Sequence, residues 1–216
     1  MKRQAAEPVH YHHGDLRRAL IAAALALVTE EQDWTFSLRE VARSAGVSPS
    51  APYNHFTDKR DLLAEVAVVG FNRLRDGLAS AVAGVYAAPE AFVACVSTYV
   101  RLGMENPALY RLMFGPELTA SKGAKRPPGM EAAGNEGKAI LAQIIREGAR
   151  CGDFALSAEN EGQVALATFI VWSAAHGLTM LVIDKLTGKN VPVQTAIEIA
   201  IQIQLDGLRH GVGAIP

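Results

Sequence analysis

The sequence predicts an all-α protein with a small N-terminal helical domain (residues 1–60) and a larger helical body (residues 61–216). Apolar residues recur at three- and four-residue intervals along most of the chain, which is the spacing of an amphipathic helix. Cap-forming residues, glycines and prolines interrupt this spacing, as they do at helix ends. No segment alternates polar and apolar residues in the manner of a β-strand.

The composition of the chain argues against several classes of protein. Half of its 216 residues are hydrophobic and its net charge is −1, so a sizeable core is available and no overall charge attracts it to nucleic acid or membranes. Cys95 and Cys151 lack the spacing of a disulfide framework or a zinc site. We therefore expect no metal site. The N-terminus, MKRQAAEPVHYHHGD, has no apolar segment typical of a signal peptide, so we expect a cytoplasmic protein.

Two helices are predicted in the first 46 residues. Asp15 can cap the first, whose apolar positions continue at helical spacing to Val28. Ser37 and Glu40 form a capping box that begins the second helix. Gly46 ends this second helix, because glycine adopts the left-handed cap at little cost.

The segment VSPSAPYNHF, residues 47–56, predicts a short third helix at about residues 48–56. Ser48 is a new N-cap, and Pro49 occupies the first helical position, where a missing N–H costs nothing. Pro52 forfeits one helical hydrogen bond and restricts Ala51, so we expect a distorted first turn. A short helix that follows another after a glycine turn indicates a helix-turn-helix.

The next residues, TDKRDLL, begin a further helix with Lys59 in its first turn. Together, YHHGDLRRALIAAALALVTEE, SLREVARSAGVSPSAPYNHF and TDKRDLL closely resemble the N-terminal domain of TetR-family transcriptional regulators over residues 10 to 66. The family pattern has a tyrosine, an aromatic residue two or three places on, and a lysine at the start of the next helix. Tyr53, Phe56 and Lys59 match it, whereas Pro52 stands where leucine is commoner.

The resemblance implies a homodimer that binds a palindromic DNA operator, with the short third helix in the major groove. A tyrosine hydroxyl or a lysine ammonium can bind phosphate, asparagine favours adenine, and an alanine methyl can contact a thymine methyl. The residues expected to contact DNA are Arg39, Ser48, Pro49, Ser50, Ala51, Tyr53, Asn54, His55 and Lys59.

Two features of this domain leave alternatives open. Basic and acidic residues balance across residues 1–62, so we expect modest nonspecific affinity for DNA. The balance supports, as the alternative function, a helical small-molecule or partner-binding protein with a non-functional DNA module. The tract HYHH, His10 to His13, is interpreted as an arm near DNA or a solvated arm rather than a metal site, because it has no carboxylate partner.

Helical spacing continues through the body, interrupted by GPELTASKGAKRPPG, residues 115–129, which has the composition of a loop. The predicted helices run from Lys59 to Gly84, from Pro89 through Leu102, over PALYRLMF, from Met130 to Arg150, from Ser157 through Ile183, and from Pro192 to about Gly211.

The segment from Gly162 to Ile183 contains no charged residue and has the length of a membrane span. Its polar residues, such as Gln163 and His176, favour instead a helix buried by its own body and a partner chain. We expect the last two helices to form a four-helix bundle with their symmetry mates, as in the usual TetR-family dimer, although an ordinary core would use the same residues. The predicted interface residues are Phe169, Ile170, Leu178, Leu181, Val182, Ile197, Ala200, Ile201, Ile203 and Leu208.

YVRLGMENPALYRLMFG and WSAAHGLTML resemble a regulator subgroup whose C-terminal domain carries a Trp…His-Gly signature, here Trp172, His176 and Gly177. An effector pocket needs apolar walls and a few polar groups, although aromatic and methionine residues at helical spacing also build ordinary cores. The candidate pocket residues for an unknown small-molecule effector are Phe92, Tyr99, Met104, Tyr110, Met113, Phe114, Trp172 and His176.

The sequence gives no indication of catalysis. Neither cysteine lies in an activating context, no glycine-rich phosphate loop occurs, and His176 has no evident nucleophile partner. We therefore predict a non-enzymatic, ligand-responsive repressor without a cofactor. Effector and operator would weaken each other's binding by the same factor, through the helix that begins at Lys59.

Overall fold

The structure of the protein, a computed structural model, describes residues 13–118 and 128–211. Eight α-helices and two short 3-10 helices make up the regular structure of these residues, and no strand occurs among them, which confirms the predicted all-α class. The helices are α1 (His13–Glu31), α2 (Leu38–Ser44), a 3-10 helix (Ala51–Asn54), α3 (Lys59–Val82), α4 (Ala88–Glu105), α5 (Pro107–Phe114), a 3-10 helix (Pro116–Leu118), α6 (Pro128–Cys151), α7 (Glu161–Ile183) and α8 (Val193–His210).

Some expectations fall on residues outside these ranges. The histidine tract lies there except for His13, the first residue of α1, and so does most of the loop expected over residues 115–129. Asp15, predicted to cap the first helix, lies inside α1. The predicted cap of α7 is also corrected: Asn160, not Ser157, is the N-cap, and its side-chain oxygen accepts a 3.1 Å hydrogen bond from the Gln163 backbone.

The chain divides into two compact units, one that ends at Val66 and one that begins at Ala67. Helix α3 belongs to both, since it runs from Lys59 to Val82. The boundary predicted at residue 60 lies in the first turn of α3, and the observed division falls about two turns later.

The core of the first unit consists of apolar side chains from α1, α2 and the beginning of α3. Val28, Val41 and Leu62 are completely buried there. A 2.9 Å ion pair between Arg17 of α1 and Glu65 of α3 lies at the edge of this core. These contacts fix α2 and leave the turn that follows it at the surface.

Helix α4 is central in the second unit, where it packs against α6, α7 and α8. Phe92 is completely buried, and the edge of its ring meets Phe154 with 6.3 Å between centroids. Gly103 allows close approach of α7, because a methyl group at this position would overlap the Thr179 side chain. The aromatic residues of α4, α5 and α7 are thereby brought together.

Candidate functional site

The turn after α2 is positioned by caps that are local in sequence. The Ser37 backbone donates a 2.7 Å hydrogen bond to the Glu40 carboxylate, and the Glu40 backbone donates to the Ser37 hydroxyl at 3.3 Å. This confirms the predicted capping box, whose hydrogen bonds from Ser37 lower the pKa of Glu40. At the other end, Gly46 is left-handed (φ 69°), and the Val47 backbone donates to Ala42 at 2.9 Å, which closes a Schellman motif.

We call residues 47–56 the recognition turn. Its regular part is the 3-10 helix Ala51–Asn54, which corrects the α-helix predicted over residues 48–56. The Ala51 backbone donates to Ser48 and the His55 backbone to Pro52, both at 3.0 Å. The distortion expected from Pro52 is present, because proline lacks an N–H and disfavours α-helical angles at Ala51.

The recognition turn presents a mostly polar surface. Tyr53 is 56% exposed, whereas Phe56 and Pro52 are buried. The exposed members of the predicted DNA-contacting set in this turn are Ser48, Pro49, Ser50, Tyr53 and Asn54, with His55 half-buried. Ala51 is only 7% exposed, because it packs inward beside Pro52. This burial argues against its predicted contact with a thymine methyl.

Two cations predicted to bind phosphate flank this surface in the sequence. Arg39, in the first turn of α2, is exposed. Lys59 is half-buried, and its ammonium lies 5.2 Å from the centroid of the Phe36 ring, a contact that the sequence did not indicate. Burial lowers the pKa of Lys59, while Asp33 and Glu40 raise it.

The second unit contains a cavity of about 510 Å³ lined by residues of α3 to α7, a size typical of sites for small organic molecules. Phe71 and Leu74 of α3, Leu141 of α6 and Val171 of α7 contribute apolar walls. The charged lining residues, Glu131 and Lys138 of α6, are both exposed, as is Asn135. The contributions of α3 and α6 were not predicted, although Leu74 and Leu78 lie four residues apart and so share one face of α3.

The eight predicted pocket residues do not all line one cavity. Tyr99, Phe114 and Trp172 line the large cavity. Tyr110 and Met113 line a cavity of about 70 Å³ instead.

The other three predicted pocket residues also lie outside the large cavity. Phe92 belongs to the core, because its ring is completely buried against Phe154. Met104 lines a groove of about 380 Å³ between α4 and α8. His176 does not line this cavity, and its Nδ1 lies 2.7 Å from the Tyr110 oxygen.

A cluster that we call the aromatic wall joins α4, α5 and α7; it consists of Tyr99, Tyr110, Phe114, Trp172 and His176. The Trp172 indole donates to the Tyr99 oxygen at 3.2 Å, and the hydroxyls of Tyr99 and Tyr110 are 2.9 Å apart. The Tyr110 oxygen is 2.7 Å from Nδ1 of His176. Burial raises the pKa of Tyr99 to about 12 and also raises that of Tyr110, so both hydroxyls are protonated at neutral pH.

Helices α7 and α8 expose large apolar side chains. Phe169 is 59% and Ile203 65% exposed, and Ile170 and Leu181 are also exposed. Leu166 and Ile199 extend this surface and were missed. We call these six exposed residues the α7–α8 apolar face.

The remaining predicted interface residues point elsewhere. Ile197, Ile201 and Leu208 are each at most 6% exposed, since they form the side of α8 that packs into its own unit. Their burial within one chain argues against the predicted place in a dimer interface. Leu178, Val182 and Ala200 are half-buried at the margin.

Among the described residues, α7 is the one helix long and apolar enough to cross a membrane, by length and composition alone. A core helix of a soluble protein meets the same criterion, so one such helix is weak evidence for a membrane. Residues 13–118 and 128–211 contain no group of three or more histidine, cysteine or acidic side chains that could hold a metal ion.

The helix-turn-helix of the first unit and the cavity in an all-helical second unit together define a ligand-responsive type of DNA-binding regulator. Residues 20–66 match the family model for bacterial regulatory proteins of the tetR family, and residues 92–203 match the model for the tetracyclin repressor-like C-terminal domain. The chain belongs to the TetR family of transcriptional regulators, whose members are generally non-enzymatic. The Trp…His-Gly assignment stays a prediction.

Solved structures with the same fold include a protein of unknown function from Rhodococcus sp. RHA1. It is 30% identical, with a TM-score of 0.76 over 93% of this chain and 98% of that one. A TetR family regulator from Marinobacter aquaeolei VT8 is 20% identical, with a TM-score of 0.63 over 89% and 95% of the two chains. The fatty acid degradation regulator FadR from Bacillus halodurans is 18% identical, with a TM-score of 0.68 over 89% and 99%.

Proposed function

We propose that this protein is a cytoplasmic, homodimeric repressor that binds a palindromic operator and releases it when a small molecule occupies the 510 Å³ cavity. Such a repressor needs no catalytic step and no cofactor; its one small-molecule ligand is the effector. The observation that carries it is the course of α3: the helix begins at Lys59, directly after the recognition turn, and Phe71, Leu74 and Leu78 further along line the cavity.

The chemistry of the recognition turn supports DNA binding. The hydroxyls of Ser48, Ser50 and Tyr53 and the Asn54 amide are exposed, and such groups bind phosphates and base edges. The Schellman motif at Gly46 and the buried Pro52 hold their backbone in place. Because this surface is already ordered, it can enter a DNA groove without the entropy cost of becoming ordered on binding.

Reciprocal linkage supplies the regulatory mechanism. A ligand that favours one position of the α3 residues in the cavity wall also biases the start of the same helix. If operator DNA favours the other position, ligand and DNA each lower the affinity of the protein for the other by the same factor.

The α7–α8 apolar face supports a homodimer. A monomer would leave Phe169, Ile199 and Ile203 in water, whereas a second copy of the same two helices could bury them as a four-helix bundle. In sedimentation analysis we expect Ile203→Glu to shift the protein towards monomer, while Ile197→Val, a conservative change in the core of the same helix, leaves the association unchanged. A variant that stays dimeric would argue against this interface.

Selection of bound duplexes from a random DNA pool at low salt tests the DNA-binding part directly. We expect an inverted repeat with half-sites about one helical turn apart, as two recognition elements of a symmetric dimer require. Tyr53→Ala is the control and should enrich that repeat weakly or not at all. If wild type and control enrich nothing, the alternative of a ligand- or partner-binding protein with a non-functional DNA module is favoured.

The selected operator then tests the cavity. A cavity-filling variant, Gly137→Phe, should bind the operator normally but fail to release it with compounds that release wild type. Gly137 lines the cavity, and a Cβ atom added to it would meet no side chain or neighbouring helix within 4 Å, so a larger side chain enters without a backbone clash. Normal release from this variant would place the effector elsewhere.

A further inference from the structure

Among the described residues that line the cavity, the charged ones are Glu131 and Lys138, and both are exposed. Tyr99 lines the cavity, and its oxygen is already bonded to the Trp172 indole and the Tyr110 hydroxyl. Cys95 also lines the cavity, and burial raises the pKa of its thiol to about 12, so this thiol is neutral at physiological pH. Because an unpaired polar group is costly to bury, the interior fits an apolar ligand body.

The polar groups of the cavity lie together at its opening. Glu131, Asn135 and Lys138 are exposed, line the cavity, and occupy positions four and three residues apart on α6. Residues at this spacing share one face of a helix. A ligand that extends from the interior to this opening therefore has an apolar body and one polar head.

The two charges at the opening differ in their surroundings. Glu131 lies in the first turn of α6, where the partial positive charge of the helix N-terminus stabilises its carboxylate. Lys138 lies seven residues further along α6, in the middle of the helix, where the charge of neither helix end stabilises its ammonium. Its ammonium is 4.9 Å from the centroid of the Trp172 ring and donates a 3.4 Å hydrogen bond to the Asn135 oxygen.

These contacts place Lys138 to receive an anion. In the part of the chain that the structure describes, its ammonium is held by an indole face and an amide oxygen, both weaker partners than a carboxylate. The indole is itself part of the cavity wall. A carboxylate above that ring would meet the ammonium and the Asn135 side-chain amide together.

We propose that the effector is an amphipathic organic anion, with its apolar body in the cavity and a carboxylate head bound by Lys138 and Asn135. This inference rests on the proposed function of the cavity as the effector site. It goes beyond that function by naming the chemical class of the ligand and the residue that selects it.

Three probes with the same alkyl chain and different heads test the proposal: decanoate, decanol and decylamine. Isothermal titration calorimetry on the wild-type protein gives the three affinities. Because an exposed charged contact contributes modestly, we expect decanoate to bind about fivefold more tightly than decanol. Decylamine should bind least tightly of the three. Raising the salt concentration should reduce the preference for decanoate.

Lys138→Met is the decisive variant, since methionine keeps an apolar stem over Trp172 and removes the charge. It should bind decanoate and decanol equally, with decanol affinity unchanged from wild type. Lys189→Met, at an exposed lysine between α7 and α8, is the matched control and should keep the preference. In a Trp34→Phe background Trp172 is the single tryptophan, so a change in its fluorescence locates each probe at the cavity.

Each other outcome overturns the anion proposal in a recognisable way. Equal binding of the three probes by wild type, or a decanoate preference that survives Lys138→Met, leaves an apolar effector site without charge selection. Tightest binding of decylamine would assign selection to Glu131. Binding of none of the probes would overturn the ligand class, while the operator selection independently decides whether the chain is a DNA-binding regulator.

Discussion

The hydrogen bonds of the recognition turn and those of the aromatic wall span very different distances in sequence. In the turn, the Ser48 and Ser50 hydroxyls are 3.2 Å apart, and the Val47 backbone donates to Ala42. In the wall, Trp172 bonds to Tyr99, 73 residues away, and the hydroxyl of Tyr110 lies beside His176, 66 residues away.

Because of this difference, we expect substitutions in the turn to affect binding without affecting stability, and substitutions in the wall to affect both. The exposed side chains of the turn are supported by backbone caps and by contacts with near neighbours in sequence, such as that between Ser48 and Ser50. They can therefore change without loss of the fold. In the wall, Tyr99, Phe114 and Trp172 both line the cavity and pack against the other aromatic residues, so a substitution there is expected to alter ligand binding and stability together. A wall variant that changes only binding or only stability would contradict this view, and so would a turn variant that changes both.

The largest effect is expected from Phe92→Ala. The side chain is completely buried, so its removal should lower the free energy of unfolding by about 3–5 kcal/mol. Urea denaturation followed by circular dichroism measures this loss. Val93→Ala, at an exposed neighbour on α4, should have a much smaller effect, and comparable losses would mean that Phe92 is not a core residue.

A smaller loss of stability is expected at alkaline pH, and it should originate in the wall. The pKa of Tyr99 is raised from 10.0 to about 12 in the folded state, so the folded protein holds this proton more tightly than the unfolded chain. The stabilisation is complete below pH 10 and is lost between about pH 10 and 12, by about 2–3 kcal/mol. Urea titrations at a series of pH values should show this decline.

Tyr99→Phe should reduce the alkaline decline, because phenylalanine has no proton to lose, while Tyr110 and Cys95, whose pKa values are also raised, account for the rest. Tyr86→Phe, at a tyrosine that is 95% exposed, should leave the decline unchanged. Equal pH profiles for wild type and Tyr99→Phe would show that other groups cause the decline, and Tyr110 and Cys95, whose pKa values are also raised, would be the next to test.

The same contrast explains what the sequence could predict. The capping box at Ser37 and the end of α2 at Gly46 depend on residues within a few positions, so local rules located them. The 3-10 form of the turn was missed, although the disruptive effect of Pro52 was foreseen, because local rules do not decide how the chain relaxes around a proline. The burial of Ala51 follows from that relaxation.

The cavity and the dimer face depend on which neighbour covers each side of a helix, which periodicity does not reveal. Phe92 and Tyr99 lie seven residues apart on one stripe of α4, yet only Tyr99 reaches the cavity. Ile197 and Ile203 are equally apolar, yet the first is 6% and the second 65% exposed. The sequence therefore predicted the apolar helices correctly, but it did not indicate which of their side chains are buried in the chain itself and which are exposed.

Ser37→Ala tests whether the local caps of the first unit matter as much as expected. Loss of an N-cap hydrogen bond should lower the free energy of unfolding by about 1 kcal/mol, without altering ligand binding in the second unit. Ser80→Ala, at an exposed position inside α3, is the matched control and should be neutral or slightly stabilising. An unchanged stability in Ser37→Ala would indicate that α2 is fixed by packing alone.

The smallest effect on stability is expected from Tyr53→Phe, which should nevertheless weaken DNA binding. The ring of Tyr53 is 56% exposed, so removal of its hydroxyl should change the free energy of unfolding by less than about 0.5 kcal/mol. If the hydroxyl donates to a phosphate, affinity for the selected operator and for mutated operators should fall by the same factor, since phosphates carry no sequence information. Fluorescence anisotropy with both kinds of duplex measures that factor. A loss confined to the selected operator would instead assign Tyr53 to base recognition.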